Sequence, residues 1–205
     1  FPNIFDSSIE NHMIFNNHQY EYDLFFALSH GVGRGKIKKN ISKKSNSASQ
    51  YREYFLKQIQ MSIPELKTNF FGINGRQPVW GNEFEKELNN CSMSLNLSRK
   101  PHLKYYSSDR ISQYLGNGSA LFIDINSKLD DLFKNDEAFF YKDIDDLIKL
   151  LKKAIADPNM VKNIAEKGWK RGHKDYNERI VTKFMLDSIY NSKNISINWP
   201  NIRYE

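Results

Sequence analysis

Short apolar runs alternate along the chain with longer segments whose apolar residues recur every three or four positions. The runs predict strands and the longer segments predict amphipathic helices. Strands separated by helices are typical of parallel βαβ units, so we expect an α/β fold with a Rossmann-like, doubly wound parallel sheet flanked by helices. The five predicted strands are 22–29, 68–73, 93–97, 119–124 and 138–141.

The helices are predicted from the same pattern and from residues that favour helix ends. Asn82 is predicted to cap a short helix, Asp143 to cap a longer one, and Pro158 to begin the helix after it. The predicted helices are 49–63, 80–88, 107–115, the two that begin at Asp143 and Pro158, and 176–190.

The helix at 107–115 has the strongest chemical signature. Glycine and asparagine at 116–118 are suited to end it. A helix start binds anions because its first N–H groups are unpaired and its dipole favours negative charge. Arg110 adds a guanidinium in the first turn, which suits a phosphate group. Three residues suited to cap the helix precede Arg110: Ser107, Ser108 and Asp109.

Composition favours a folded domain. The 205 residues are 40% hydrophobic and 14% aromatic, which argues against disorder. The single Cys91 excludes an internal disulfide and indicates a reducing compartment, so we expect a cytoplasmic protein. The chain begins with Phe1 rather than Met, and we expect a fragment with a domain missing before it. The expected organisation is a linker or lead-in at 1–20, one domain at 21–190 and a tail at 191–205.

The net charge of +6 is local rather than spread over the chain. Between 24 and 52 there is no acidic residue, whereas the rest of the chain is nearly balanced, so we expect no nucleic-acid partner. The lysines of 38–44 are interpreted as a solvated run, and contact with acidic membrane lipid is the alternative.

Two loops are expected at the carboxyl ends of the strands, where ligands bind in doubly wound sheets. The glycines of the first loop allow close approach of backbone to a phosphate, and an ordinary solvated loop is the alternative. Arg99 follows the third strand, and Tyr106 is a candidate for stacking on a base or sugar, or for core packing. The candidates of the first loop are His30, Gly31, Gly33, Arg34 and Lys36.

Four segments in order resemble the group 1 glycosyltransferases, in particular the branch related to the spore-maturation CgeB proteins. The segment 110–124 (RISQYLGNGSALFID) resembles their R-x-x-E-x-x-x-x-G helix–strand element. The segment 139–147 is similar to their vy-x-d-x-e-e-L element, and 156–168 to their l-x-d-p…i-a-x-x-g helix. The terminal H-x-x-Y-x-x-R element is matched at 173–179.

The resemblance implies the C-terminal, donor-binding half of a GT-B fold from a bacterial, hexosyltransferase-type enzyme. Such an enzyme transfers a sugar from a nucleotide diphosphate sugar to a glycan, lipid or protein acceptor, which the missing N-terminal domain would bind. The resemblance implies no cofactor and no metal site, and a location in the cytoplasm or at the inner face of the membrane. Arg34 and Lys36 would act catalytically on the departing diphosphate, and the remaining candidates would bind the donor.

One position departs from the family pattern. The family glutamate that binds the ribose hydroxyls corresponds to Gln113, which keeps hydrogen-bonding capacity but loses charge-assisted strength.

Two other functions remain open. A non-catalytic nucleotide-binding or interaction domain, such as a receiver, would carry acidic residues at its strand ends, and here those ends are neutral or basic. A dinucleotide-binding enzyme would need G-x-G-x-x-G, but Lys36 stands where the third glycine is required, and no acidic residue follows until Glu53.

Overall fold

The computed structural model of the chain describes residues 3–28, 48–73, 75–98, 103–190 and 197–199. Five parallel strands form one sheet in the order β2-β1-β3-β4-β5, with helices on both faces, so the predicted Rossmann-like α/β fold is confirmed. The strands are β1 (Tyr22–Ala27), β2 (Thr68–Phe71), β3 (Cys91–Asn96), β4 (Ala120–Asp124) and β5 (Phe139–Tyr141). The helices are α1 (Ala48–Ser62), α2 (Gly81–Asn89), α3 (Asp109–Gly116), α4 (Ile144–Ala156), α5 (Pro158–Asp175) and α6 (Glu178–Ile189).

Apolar side chains on alternate positions of the strands form a core on each face of the sheet. Leu24 and Phe26 of β1 contribute to the core beneath α1 and α4, whereas Phe25 contributes to the core beneath α2 and α3. A strand with both faces covered is buried along most of its length, which explains the continuous apolar runs in β1 and β4.

The predicted helix ends are partly right. The Asp143 carboxylate accepts from the N–H of Asp146, and α5 begins at Pro158, as expected. Asn82 is not a cap, because α2 begins one residue earlier, at Gly81.

Two other boundaries also differ from the prediction. The strand β3 begins two residues before the predicted 93, because the buried Cys91 already pairs with Tyr22 of β1. The last helix begins at Glu178 rather than 176, because the Asn177 side chain caps it and the Tyr176 side chain turns into the core.

The residues at both ends of the described chain pack against the end of α5. The Phe5 and Tyr176 side chains are fully buried, and the N–H of Phe5 donates to the carbonyl of Tyr176 at 3.0 Å. Trp199 is also buried, with its ring centroid 5.5 Å from that of Tyr176. These contacts bring part of the predicted lead-in and part of the predicted tail onto the domain.

The connection from β4 to β5 contains two short 3₁₀ helices, Ile125–Ser127 and Leu129–Asp131, instead of an α-helix. Asp124, the last residue of β4, caps the first of them, because its carboxylate accepts from the N–H of Asn126.

The neighbours β1 and β3 define the topological switch point of the sheet. The chain leaves β1 for β2 on one side and returns to β3 on the other, and such a point is where ligands bind in open α/β sheets. The register pairs of these strands run from Tyr22–Cys91 to Phe25–Ser94. At the end of β1, beyond these pairs, the N–H of Ala27 donates to the hydroxyl of Tyr114 on α3 at 3.3 Å.

We expect Tyr114→Phe to lower the free energy of unfolding by about 1–3 kcal/mol, because it leaves the buried N–H of Ala27 without this acceptor. Tyr114 is fully buried, and burial raises the pKa of its hydroxyl to about 12. Urea denaturation measures the loss. Tyr190→Phe is the matched control because Tyr190 is 78% exposed, and an equal loss in both variants would contradict the expectation.

Candidate functional site

A pocket of about 1110 Å³ lies at the carboxyl ends of β1 and β3. Ala27 and Leu28 line it from the end of β1, and Ser98 lines it beyond β3. The start of α3 forms one wall, and the residues that lead into α2 form another. The pocket therefore lies at the switch point, where the order of the strands predicts a ligand site.

The structure brings six of the predicted binding residues together in this pocket. The other predicted residues, His30, Gly31, Gly33, Arg34, Lys36 and Arg99, lie outside the described residues. The six that line the pocket are Tyr106, Ser107, Ser108, Asp109, Arg110 and Gln113.

The start of α3 has no side-chain cap, which differs from the prediction. Ser108 occupies the capping position, but its hydroxyl donates to Oδ1 of Asn96 at 3.0 Å. Ser107 and Asp109 are engaged instead by Asn3, whose backbone N–H donates to Oγ of Ser107 and whose side chain donates to Oδ1 of Asp109 at 2.8 Å. The first N–H groups of α3 are thus left uncapped by these side chains, as an anion site requires.

Arg110 is fixed at the junction between α3 and β3. Its Nη2 donates to the carbonyl of Leu97 at 3.3 Å, and its Cζ lies 5.8 Å from the centroid of the Phe26 ring. The Nε atom is buried and has no hydrogen-bond partner among the described residues. The guanidinium is therefore held half-buried in the pocket wall, with donor capacity left over.

Arg52 is a second guanidinium in the pocket that sequence reasoning missed. It lies on α1 and is only 5% exposed. The signal was present in the helical pattern, because Arg52, Phe55 and Leu56 share one face at i, i+3 and i+4, and the two apolar residues are buried in the core.

Among the described residues of the pocket, carboxylates outnumber guanidiniums by one. Against the guanidiniums of Arg52 and Arg110 stand three carboxylates, Glu10, Glu85 and Asp109. The Oε2 atom of Glu85 lies 3.5 Å from Nε2 of His12, in the segment before β1. Positive potential for an anion in this part of the chain therefore comes from the two arginines and the start of α3.

Ser98 and Gln113 supply uncharged hydrogen-bonding groups. The Ser98 hydroxyl is buried and has no partner among the described residues. The backbone carbonyl of Gln113 accepts from Nδ2 of Asn117 at 2.8 Å, while no described residue hydrogen-bonds its side chain. A buried hydroxyl without a partner is costly, and a ligand that bonds to it would recover that cost.

Three large apolar side chains stand exposed at the edge of the pocket. Trp80 is 63% exposed, Leu103 is 64% exposed and Tyr106 is 50% exposed. Exposed aromatic rings at a pocket are suited to stack on a base or a sugar ring. Trp80 was missed in the sequence because it was taken only as the start of a helix.

Neither a metal centre nor a membrane span is found in the part of the chain that the structure describes. No three or more His, Cys, Asp or Glu side chains there are grouped so that they could hold a metal ion. None of the described helices combines the length and the apolar character needed to cross a bilayer.

Comparison with known proteins identifies one family. The model of the Glyco_trans_1_2 family, described as glycosyl transferase-like, matches residues 50–187. Among curated proteins, no sequence matches this chain significantly.

Solved structures with similar folds cover different shares of the chain. An α1,3-fucosyltransferase is similar with a TM-score of 0.53 and 12% identity, over 90% of this chain and 49% of that one. HepE from Anabaena in complex with UDP has a TM-score of 0.49 and 9% identity, over 69% of this chain and 38% of that one. Sucrose-phosphate synthase from Thermosynechococcus elongatus has a TM-score of 0.49 and 13% identity, over 73% of this chain and 35% of that one. The chain thus spans half or less of the length of each, and the likeness to the fucosyltransferase supports the fold alone.

Proposed function

We propose that this chain, which belongs to the glycosyl transferase-like family Glyco_trans_1_2, is the domain that binds the nucleotide-sugar donor of a glycosyltransferase. The observation that carries the proposal is the uncapped start of α3, which opens into the pocket at the switch point of the sheet beside Arg110. Together, the helix start and the guanidinium suit the diphosphate of such a donor.

The same groups would stabilise the reaction. As the bond between the sugar and the diphosphate breaks, negative charge grows on the leaving oxygen, and donors already in place lower the energy of that state. Arg110 and Arg52 are the described cations that line the pocket, and they would take this role. Arg34 and Lys36 stay predicted contributors.

The nucleoside and the sugar would occupy the rest of the pocket. The unpartnered side chain of Gln113 would hydrogen-bond a ribose hydroxyl, and Trp80 or Tyr106 would stack on a ring of the donor. Because Gln113 is neutral, its bond to the ribose lacks the strength of one made by a carboxylate.

Transfer itself is proposed for the larger enzyme. The acceptor would be bound by a second domain, in keeping with the 49% of the fucosyltransferase that this chain covers. Four features remain predictions: the CgeB-like branch, the C-terminal position in a GT-B fold, the hexosyl specificity and the independence of cofactors and metals. The cytoplasmic location and the contact of 38–44 with acidic lipid are also proposals.

Thermal unfolding of the chain in the presence of UDP, GDP, CDP, ADP or NAD, with and without EDTA, tests the proposal. We expect one nucleoside diphosphate to raise the unfolding temperature, since a ligand at a hundred times its Kd adds about 2.7 kcal/mol of stability. EDTA should not change that shift. Stabilisation by NAD alone would contradict the proposal and favour a dinucleotide site.

We expect Arg110→Gln to weaken binding of the nucleoside diphosphate about tenfold, because it removes a charge-assisted contact to the phosphates. Isothermal titration calorimetry measures the change. Arg179→Gln is the matched control, since Arg179 lies exposed on α6 away from the pocket. Equal affinity of the two variants for the nucleotide would contradict the role of Arg110.

A further inference from the structure

The segment before β1 places a buried carboxylate, Glu10, in the pocket wall. Glu10 is only 8% exposed and lines the pocket together with the neighbouring Ile9. Burial of Phe5 and Ile14 on either side holds this segment against the domain. The carboxylate is thus part of the folded site although it lies outside 50–187, the range matched by the family.

Two hydrogen bonds within one turn fix the position of Glu10. Its N–H donates to the carbonyl of Asp6 at 2.7 Å, and its Oε2 accepts from the N–H of Asp6 at 2.6 Å. The remaining oxygen, Oε1, has no hydrogen-bond partner among the described residues. The turn therefore holds one carboxylate oxygen and leaves the other available.

The opposite side of Glu10 is packed against α3. A Cβ placed on Gly116 would lie 2.8 Å from Cβ of Glu10, so the helix backbone approaches this side chain closely. Gln113 stands one turn before Gly116 on the same face of α3, and it lines the same pocket. Glu10 consequently lies against the face of α3 that presents Gln113 to a ligand.

No basic side chain among the described residues pairs with the Glu10 carboxylate. Burial raises its pKa, and the charge of Asp6 adds to that effect, while the hydrogen bond from the N–H of Asp6 opposes it. Burying a carboxylate without a cation is costly, and such groups in clefts are frequent in functional sites. The fold thus carries a cost at Glu10 that a ligand with hydroxyl donors would offset.

We propose that Glu10 is a binding residue for neighbouring hydroxyls of the donor, with Oε1 as the acceptor and Oε2 held by Asp6. This inference rests on the proposed function and deepens it, because it adds the segment before β1 to the groups that bind hydroxyls of the donor. An ionised carboxylate only accepts hydrogen bonds, and its bonds with hydroxyls are short and charge-assisted. The hydroxyl pair belongs either to the ribose or to the transferred sugar.

Glu10→Gln is the decisive variant, because its amide oxygen still accepts from the N–H of Asp6 while the charge is removed. Affinities are measured calorimetrically for UDP, GDP, CDP and ADP, for their 2′-deoxy forms, and for UDP-glucose and GDP-mannose. Glu65→Gln is the matched control, since Glu65 is exposed and does not line the pocket. Thermal unfolding without ligand verifies that each variant is folded.

We expect Glu10→Gln to bind the preferred ligand about tenfold more weakly, while Glu65→Gln binds it normally. If the ribose is the source of the hydroxyls, the loss appears with the nucleoside diphosphate and disappears with its 2′-deoxy form. If the sugar is the source, the loss appears only with the nucleotide sugar. Unchanged affinity of a folded Glu10→Gln for every ligand overturns this assignment alone, whereas failure of the unsubstituted chain to bind any nucleotide overturns the proposed function and the assignment with it.

Discussion

Phe5→Ala is expected to lower the free energy of unfolding by about 4 kcal/mol, because truncating a fully buried phenylalanine costs about 3–5 kcal/mol. The ring lies directly on α5 where that helix lacks a side chain. A Cβ on Gly172 would be only 2.2 Å from Cε1 of Phe5. The ring also contacts Phe133 and Tyr176, each with centroids 6.3 Å away. Truncation would leave a cavity that rigid neighbours on three sides cannot fill.

Denaturation in urea measures this loss, and a fall in the unfolding temperature of about 8–16 °C should accompany it. Ile4→Ala is the control, since Ile4 is the adjacent residue and is 37% exposed. If Phe5→Ala unfolds at the same urea concentration as Ile4→Ala, the segment before β1 is not part of the stable domain.

Gly72→Ala is expected to cost about 3 kcal/mol for two reasons that act together. Gly72 follows β2 with φ of +71°, a conformation that strains any residue with a Cβ by about 1–2 kcal/mol. A Cβ there would also lie 2.1 Å from the carbonyl oxygen of Leu28, so the backbone at the end of β1 would have to move. Because Leu28 lines the pocket, the affinity for the nucleotide should fall as well.

Gly75→Ala separates the two causes in the same turn. Gly75 has φ of +82°, but no atom lies within 4 Å of a Cβ placed on it. Conformational strain alone should therefore cost about 1 kcal/mol and leave ligand affinity unchanged. Equal losses of stability in Gly72→Ala and Gly75→Ala would show that the contact with Leu28 is not rigid.

The sheet could be predicted because most of its strands are rich in consecutive apolar residues, with helical periodicity between the strands. Residues such as Ser94 set the limit, since a polar residue buried in a central strand has the same sequence signature as one that faces water. The predicted cap at Asn82 was wrong because neighbouring residues outside the local pattern set the helix start. Local preference places a cap near the helix start, but the turn at Trp80 and Gly81 decides where α2 begins.

The wall of the site formed by α3 could be predicted because ligands bind where parallel strands end. The order of strands and helices along the chain is enough to locate those ends. Glu10, Arg52 and Trp80 could not be found in that way. Glu10 reaches the pocket because its segment packs on both α3 and α5, which no local pattern encodes. Arg52 was visible on the inward face of α1, but a lone arginine on an apolar face gives no indication of the neighbour that it meets.

The contact between Phe5 and the end of α5 has a consequence for synthesis on the ribosome. The strands β1, β2 and β3 are made early and can pair as soon as they emerge, whereas the site that receives Phe5 is not made until Gly172 and Tyr176 have been added. Until then, the segment that carries Glu10 has only part of its docking surface, which is the face of α3. This wall of the pocket is therefore complete only after α5 has been made, and a nascent chain stopped before α5 would expose an incomplete site.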